Sequence, residues 1–442
     1  MQRCDVAIIG TGPAGLGAAF ALSDARPELS IVMFDRQEFS SGGLRNDCKM
    51  NFTWPVGFPE GCWTNEMATA YLQQVEAFLK PSILAKNSIA VYGQRAEKLG
   101  AKLLEIRQAH LGTDGGLELI KRLTAELRNR GVEVALGETV VSVDARGRHL
   151  VTDRRELDYG DAIVAPGRNG FGFLQDLMRQ NGIPFVDNVV DVGIRVELKE
   201  DRYPIVRDYY DPKFVFPKKV RSFCTNSRAA HVVQEKYEDT TGTWYSVNGH
   251  AWSANRPSNG LANFAMLKTV GLTEPLASGQ AYARGLGAQA MLLGGGHPIM
   301  QRVGDFRMGK RSTRESFNAD LYDFEPTLPS CTPGDLGMAV PAKIMRALWI
   351  GMKMLDTIVP GVLHPSTIMY YPEIKTYANR PTYQDPQSFR ALPGLYLAGD
   401  GAGTSRGITA AWASGIRVAG SLLSTLSPLS PHSSQNHMPG RA

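Results

Sequence analysis

The sequence has few of the residues that metal centres and disulfide-rich folds require. Its 442 residues include five cysteines with no CxxC pair and eight histidines with no HExxH motif. We therefore expect no metal site and no disulfide scaffold. It has no uninterrupted run of about 18 apolar residues, the length that a membrane span needs, and no basic leader before its first apolar stretch. The sequence therefore predicts a cytoplasmic protein that does not contact a membrane.

The charge balance is too even for a strongly basic nucleic-acid-binding surface. A net charge of +5 comes from 48 basic and 43 acidic residues, which are mixed along the chain. Such mixing is typical of a solvated surface, so we do not expect nucleic acid as a partner. The one basic cluster, PKKVR at 217–221, follows the strand-like KFVF. We expect this cluster to form a solvated turn.

The chain begins with a predicted strand, a glycine turn and a helix. In DVAIIGTGPAGLGAAFALS, residues 5–23, Gly10, Gly12 and Gly15 form a GxGxxG motif directly after the strand. The first glycine permits the tight turn, the second lets a pyrophosphate approach, and the third allows close helix packing. Asp35 ends the next predicted strand, where a carboxylate accepts hydrogen bonds from a ribose. The other predicted cofactor contacts in this unit are Pro13, Ala14 and Arg36.

A second glycine-rich segment, near the C-terminus, favours FAD over NAD. LPGLYLAGDGAG at 392–403 resembles the second half of the FAD site in flavoproteins with two dinucleotide-binding domains, and DAIVAPGR resembles their second short glycine motif. The resemblance implies that Asp400 binds the ribityl or pyrophosphate region. It also implies that the helix starting at Gly407 and Ile408 stabilises the reduced flavin with its N-terminal dipole. The remaining predicted cofactor contacts are Val140, Ala165, Gly167 and Gly399.

The order of the predicted elements indicates an α/β fold with two domains. We expect a Rossmann-like FAD-binding domain of the GR2 type, formed by residues 1–175 and 340–425, and an inserted mixed α+β substrate domain, residues 176–339. Residues 426–442 contain few apolar side chains, and we expect them to form a disordered tail. Because no second strand–GxGxxG–helix unit is present, a separate NAD(P)H domain is not expected.

A closer resemblance rests on five segments. They are SSGGLRNDCKMN, VVDVGIRVE, RSFC, YSVNGHAWSANRPSNGLANFAML and QRVGDF. Together with the C-terminal segment they are similar to a family of FAD-dependent dehydrogenases related to the geranylgeranyl reductases and the BaiN-type flavoproteins. The resemblance covers about residues 3–425 and implies a flavin fold, an inserted domain and a redox activity, but no substrate. Two features depart from the family pattern: Cys48 replaces a glycine, and the stretch after Cys224 has fewer cysteines and glycines.

The loop of residues 40–51 provides the first candidates for chemistry. Its glycines, Gly42 and Gly43, allow close approach to the flavin ring, and with Leu44 they are predicted cofactor contacts. Its polar side chains are expected to face that ring, and they are Asn46, Asp47, Lys49 and Asn51. We predict Lys49 and Asn51 as catalytic, because an ammonium near flavin N1 or N5 could stabilise a flavin anion. The structural alternative is that Lys49 pairs with Asp47 or with solvent.

The segment YYPEIKTY, directly before the second glycine-rich segment, provides the next candidates. We predict Glu373 and Lys375 as catalytic, and Tyr370, Tyr371 and Tyr377 as phenols that could donate protons. A solvated strand edge is the structural alternative for this segment.

The predicted insert provides candidate substrate contacts. They are Tyr245, His250, Trp252 and Arg302. The three aromatic side chains could form a pocket or belong to a β-sheet core. Arg302, like Arg195 and Arg307, could clamp a substrate carboxylate or form a surface salt bridge. Cys224 is either a redox-active thiol or a small buried apolar side chain.

Together these features predict an FAD-dependent oxidoreductase. The simplest form is a dehydrogenase that oxidises a small metabolite by hydride transfer to flavin N5, with oxygen or a diffusible carrier as electron acceptor. An NAD(P)H-fed C=C reductase and a flavin monooxygenase are the alternatives within this class. The Ala-His sequence of aromatic hydroxylases and the WxWxIP box of tryptophan halogenases are absent, which disfavours monooxygenation. The alternative from another class is a flavin-binding or RNA-associated protein without turnover.

Overall fold

The computed structural model describes most of the chain. The described residues are 2–39, 42–45, 48–87, 89–187, 189–239, 242–252, 256–273, 275, 278–318, 324–376 and 379–426. Asn46, Asp47, Tyr377 and all but the first residue of the predicted tail therefore lie outside the described residues.

The chain alternates strands and helices in its first part and is richer in strands in its middle. The strands are β1 Gln2–Ile9, β2 Ile31–Asp35, β3 Lys49–Asn51, β4 Lys102–Leu104, β5 Gln108–His110, β6 Glu133–Leu136, β7 Val140–Asp144, β8 His149–Thr152, β9 Glu156–Val164, β10 Phe185–Val186, β11 Val189–Lys199, β12 Lys213–Phe216, β13 Val220–Asn226, β14 Ala230–Asp239, β15 Gly242–Ala251, β16 Leu261–Gly271, β17 Ile299–Arg302, β18 Thr332–Pro333, β19 Ile368–Thr376, β20 Arg380–Pro381, β21 Arg390–Leu392 and β22 Leu395–Leu397. The α-helices are α1 Pro13–Ala25, α2 Asn65–Leu79, α3 Ala90–Lys98, α4 Gly112–Asn129, α5 Phe171–Gln180, α6 Ile205–Asp208, α7 Gly279–Gly294, α8 Val303–Arg307, α9 Leu336–Ala339, α10 Ala342–Ile358 and α11 Ile408–Thr425.

The first sheet contains the predicted nucleotide-binding unit. Six of its eight strands follow the order β21–β22–β9–β1–β2–β6, and the five from β22 to β6 run parallel to one another. Helix α1 connects the paired parallel strands β1 and β2. These strands read as nearly continuous apolar runs because parallel sheets are covered on both faces. The predicted Rossmann-like α/β fold is confirmed.

Helices α1 and α11 pack closely enough to require glycine at their contact. A Cβ atom on Gly17 would lie 2.5 Å from the carbonyl oxygen of Trp412, and one on Gly415 would lie 2.0 Å from the carbonyl oxygen of Ala14. Both distances are shorter than any non-bonded contact, so side chains there would push the helices apart. The close packing brings the start of α1 next to α11.

The second sheet is mainly antiparallel and forms a separate core. Its order is β18–β17–β19–β11–β16–β13–β12–β4, with β11 between β19 and β16. Helices α7 and α10 contribute to its core, in agreement with the predicted mixed α+β second domain. The predicted boundaries, residues 176 and 340, do not match this sheet. Strands β4 and β19 lie outside 176–339 but belong to the sheet, because β4 pairs with β12 and β19 pairs with β11.

The remaining predictions on the fold concern an amphipathic helix, membrane-spanning segments and the basic cluster. The segment IMRALWIGMKMLDTIV, residues 344–359, has its charged residues at spacings that predict a helix with one charged face, and all but its last residue lie in α10, which buries Ile344, Leu348 and Leu355. Within the described ranges, no helix combines the length and the apolar character needed to cross a bilayer. The basic cluster forms an exposed 3₁₀ turn at Pro217–Lys219 directly after β12, as predicted.

Candidate functional site

The turn between β1 and α1 is shaped by close backbone contacts. Gly10 has a φ of +102°, and a Cβ there would lie 2.2 Å from the carbonyl oxygen of Ala165. A Cβ on Gly15 would lie 1.9 Å from the carbonyl oxygen of Gly10. Gly12 precedes α1 without a side-chain cap, and Pro13 is the first helical residue. The unpaired N–H groups at this helix start therefore suit a diphosphate.

Asp35 lies at the end of β2, facing this turn. Its Oδ2 atom accepts hydrogen bonds from the Thr11 backbone N–H at 3.0 Å and the Thr11 hydroxyl at 2.6 Å, and its Oδ1 accepts one from Gln37 N–H at 2.9 Å. These bonds fix the carboxylate beside the glycine turn, where the predicted ribose contact requires it. The neighbouring Arg36 is exposed and reaches the carbonyl oxygen of Asn169 at 3.4 Å. Val140 is buried in the core of the first sheet.

Three glycines after β9 and β22 adopt a backbone conformation that only glycine tolerates. Gly167, Gly399 and Gly407 have φ/ψ values of 63°/−170°, 81°/−170° and 81°/178°. A Cβ on Gly167 or Gly407 would meet no atom within 4 Å, whereas one on Gly399 would lie 3.0 Å from the Ala14 Cβ. A side chain at Gly167 or Gly407 would thus point into open space, whereas Gly399 lies against the start of α1.

Asp400 supports the start of α11 from inside the protein. Its carboxylate accepts hydrogen bonds from the Ser405 hydroxyl at 2.8 Å and the Gly407 N–H at 3.0 Å. Arg168 Nε lies 3.8 Å from Asp400 Oδ2. Burial raises the pKa of Asp400, and Arg168 and the hydrogen bonds oppose this only in part. The side chain is 17% exposed. Its contact with the ribityl or pyrophosphate region of a cofactor stays a prediction.

The predicted flavin loop packs against the start of α11. Gly43 lies in a 3₁₀ turn, Gly42–Arg45, and its Cβ position is 3.7 Å from Ile408 Cγ1. Leu44 in the same turn is buried. The Asn51 carbonyl oxygen accepts a hydrogen bond from the Thr409 hydroxyl at 2.5 Å. The structure therefore brings residues of two distant predicted segments together.

Lys49 connects this loop to the second sheet. Its Nζ atom donates to the Thr225 carbonyl oxygen at 2.7 Å and to Asn226 Oδ1 at 2.5 Å, and it lies 4.0 Å from Cys224 Sγ. Arg195 NH2 lies 3.7 Å from the same sulfur atom. Cys224 has a φ of +49° at an irregularity of β13 and is partly exposed. Two cations thus flank this thiol, which is not a fully buried apolar side chain.

Glu373 and Lys375 lie on β19 inside the second sheet. Both residues pair with β11, and because Glu373 is fully buried and Lys375 only 12% exposed, a solvated strand edge is wrong for them. Glu373 is fully buried, 3.6 Å from Arg195 NH1 and 3.8 Å from Lys375 Nζ. Tyr370 donates a hydrogen bond to the buried Glu197 at 2.5 Å, and Tyr371 is also buried. These two phenols therefore lie in the sheet core.

The sequence analysis missed Glu235 and Arg168. Glu235 on β14 lies 3.2 Å from Lys375 Nζ and accepts a hydrogen bond from Asn248 Nδ2 at 2.5 Å. Burial alone would raise the pKa of Glu235, but Lys375, Asn248 and Arg168 outweigh it and lower the pKa to about 2. Arg168 directly follows Gly167, and that position was the available signal. No local pattern in the sequence pairs Glu235 with Lys375.

These contacts define a charged cluster that joins the second sheet and the β14–β15 hairpin to the segment after β9. Its members are Arg168, Glu235, Lys375, Glu373 and Arg195. At one end of the cluster Arg168 lies beside Asp400, and at the other end Arg195 lies beside Cys224. Lys49, from the flavin loop, also lies beside Cys224.

The predicted substrate contacts are not brought together. Arg302 is fully buried and donates to the carbonyl oxygens of three residues, Ser316 and Phe324 at 3.0 Å each, and Ser366. It therefore ties chain segments together and does not form a carboxylate clamp. Arg307 is exposed. Tyr245 and His250 lie on opposite faces of β15, since alternate residues point to opposite sides of a strand. With Trp252, which is 39% exposed, they do not line one pocket.

Comparisons with known proteins give weak similarities. No family model matches the chain. An uncharacterised protein of Clostridium beijerinckii is 24% identical over 454 residues, covering 93% of this chain and 79% of that protein. One from Methanosarcina barkeri is 32% identical over 80 residues, 17% of this chain and 20% of that protein. The fold is similar to L-proline dehydrogenase from P. horikoshii, with a TM-score of 0.45, 10% identity and coverage of 97% and 95%. It is also similar to glycine oxidase from Bacillus cereus, with a TM-score of 0.43, 11% identity and coverage of 96% of each chain. Similarity at this level assigns no reaction.

Proposed function

We propose that this chain binds FAD and acts as an FAD-dependent oxidoreductase. The observation that carries the proposal is that the second glycine-rich segment lies against the start of α1: a Cβ on Gly399 would be 3.0 Å from the Ala14 Cβ, so the Gly10–Gly15 turn and the Gly399 turn are neighbours. One extended dinucleotide can contact both turns. When bound, FAD would supply two-electron chemistry.

Each part of the site has a task in this proposal. The first N–H groups of α1 hold the diphosphate, and Asp35 accepts hydrogen bonds from the adenosine ribose. Asp400 and its bond to Gly407 N–H keep the start of α11 in place. The partial positive charge of that helix start favours negative charge next to it. Lys49 adds an ammonium group on the side of the second sheet.

For the reaction we propose dehydrogenation of a small metabolite by hydride transfer, with electrons passed on to oxygen or to a diffusible carrier. The charged cluster supports this, because it provides both cations and carboxyl groups that can orient a polar substrate and move a proton.

Cofactor binding is tested by titrating purified protein with FAD and following flavin absorbance and fluorescence. The variant Asp35→Ala should bind FAD at least tenfold more weakly, since it loses the proposed ribose contact. Asp24→Ala is the matched control, because Asp24 lies in the last turn of α1, where it pairs with Arg130. A folded protein that refuses FAD overturns the proposal.

The reaction is tested by mixing the flavin-loaded protein anaerobically with panels of small metabolites, and separately with NADH and NADPH. Bleaching of the flavin band by a metabolite supports dehydrogenation. Fast bleaching by a reduced nicotinamide contradicts it and favours the C=C reductase or monooxygenase.

A further inference from the structure

Two carboxyl groups of the charged cluster compete for one ammonium group. Glu235 Oε2 lies 3.2 Å from Lys375 Nζ, within hydrogen-bond distance, whereas Glu373 Oε1 lies 3.8 Å from the same nitrogen. Glu235 also accepts hydrogen bonds from Asn248 Nδ2 at 2.5 Å and from the Tyr237 hydroxyl at 3.4 Å. Glu235 is therefore the closer partner of Lys375, and its carboxylate is stabilised by several hydrogen bonds from the protein.

Glu373 has no comparable support. It is fully buried, and neither of its carboxyl oxygens has a hydrogen-bond partner among the described residues. The nearest guanidinium nitrogen, Arg195 NH1, lies 3.6 Å away, beyond a good N–H···O hydrogen bond. An ionised carboxylate buried without hydrogen bonds is costly, and a neutral acid at the same place is much less so.

The groups that face Glu373 come from three strands. Arg195 on β11 and Lys375 on β19 favour its ionised form, and Glu235 on β14 opposes it. Burial raises the pKa of Glu373, and the two cations oppose that rise only in part. The pKa of Glu235 is lowered to about 2, so the two environments separate the carboxyl groups. Such separation usually assigns them different roles.

We propose that Glu373 is the proton-holding group of the site, which exchanges its proton through Lys375, while Glu235 stays ionised and anchors that lysine. Lys375 lies 3.8 Å from the fully buried Glu373 and is itself 12% exposed, so of these two side chains the lysine reaches the surface. Lys375 gives one proton to an acceptor and regains one from Glu373. The charge left on Glu373 is then balanced by the Arg195 guanidinium. This role rests on the proposed function, but the proton on Glu373 is a property of the chain alone.

The test is infrared spectroscopy of the purified protein at neutral pH, with and without FAD. The spectrum of the parent minus that of Glu373→Gln should show the C=O band of a neutral carboxylic acid. Glu76→Gln is the matched control. Because Glu76 pairs with Arg107 at 2.7 Å, its removal should delete only ionised carboxylate bands. Ionised bands in the Glu373 difference spectrum overturn the proposal.

A second variant covers the case in which Glu373→Gln does not fold. Glu373→Asp keeps an acid in the same environment, so the acid band should shift in frequency and remain. Ionised bands in its place again overturn the proposal. Flavin absorbance separates the two proposals. A protein that shows the acid band but refuses FAD refutes the proposed function, and a yellow protein without the band refutes only the role of Glu373.

Discussion

Replacing Gly407 with alanine tests whether a cofactor lies over the start of α11. Gly407 has φ and ψ of 81° and 178°, a region open almost only to glycine, so alanine should reduce stability by about 1–3 kcal/mol. No further loss from collision is expected, because a Cβ there meets no protein atom within 4 Å. Alanine also keeps the N–H that donates to Asp400. A domain with ordinary stability therefore remains folded.

The affinity for FAD should fall as well, although the strain in the folded chain does not by itself weaken binding. If FAD borders Gly407, the added methyl group enters its space, and we expect the Kd to rise at least tenfold, or about 1.4 kcal/mol. Gly295→Ala is the matched control, since Gly295 also has a positive φ, +62°, with no atom within 4 Å, but lies at the end of α7. Urea unfolding gives the stability and FAD titration the affinity. Equal changes in Kd for the two variants would refute the reasoning.

Two further predictions concern the charged groups of the site. Iodoacetamide should alkylate Cys224 several times faster than Cys62, because burial raises the pKa of Cys62, whereas Lys49 and Arg195 flank the Cys224 sulfur at 4.0 and 3.7 Å. Peptide mass spectrometry measures the labelling rate of each cysteine. The variant Lys49→Met should slow the labelling of Cys224. Faster labelling of Cys62 than of Cys224 would contradict an effect of the two flanking cations. The folded-state pKa of Glu235 is lowered from 4.5 to about 2, so its ionised form stabilises the fold above about pH 4.5, and that contribution is lost as the pH falls toward 2. The unfolding free energy of the parent should exceed that of Glu235→Gln by on the order of 3 kcal/mol near pH 6. This difference should be smaller near pH 3. A difference that does not change with pH would contradict the lowered pKa of Glu235.

The sequence predicted the elements whose signals are local. The glycine turn before α1, the carboxylate at Asp35 and the helix that follows Gly407 all depend on residues within one strand–turn–helix unit. The amphipathic spacing of GGLELIKRLTAELRNRG, residues 115–131, likewise predicts a helix, which forms as α4. Periodicity and glycine spacing are sufficient for such units.

The contacts across the second sheet could not be predicted in this way. The position of β19 beside β11 is set by pairing between segments far apart in the chain, so the sequence could not decide between the predicted catalytic role of Glu373 and Lys375 and the alternative of a solvated strand edge. Glu235 and Lys375 are 140 positions apart, and only the packing of the β14–β15 hairpin brings them together. Arg302 was misassigned because a buried arginine bonded to backbone carbonyls has the same sequence signature as a clamp for a ligand.

The bridge made by Lys49 limits how far this protein can be treated as two interchangeable modules. The lysine belongs to the flavin loop, yet its ammonium group binds the backbone of Thr225 and the side chain of Asn226 on the other sheet. Grafting a foreign insert onto this scaffold would leave that ammonium without its acceptors. A chimera that changes substrate preference would therefore have to redesign both sides of the junction together.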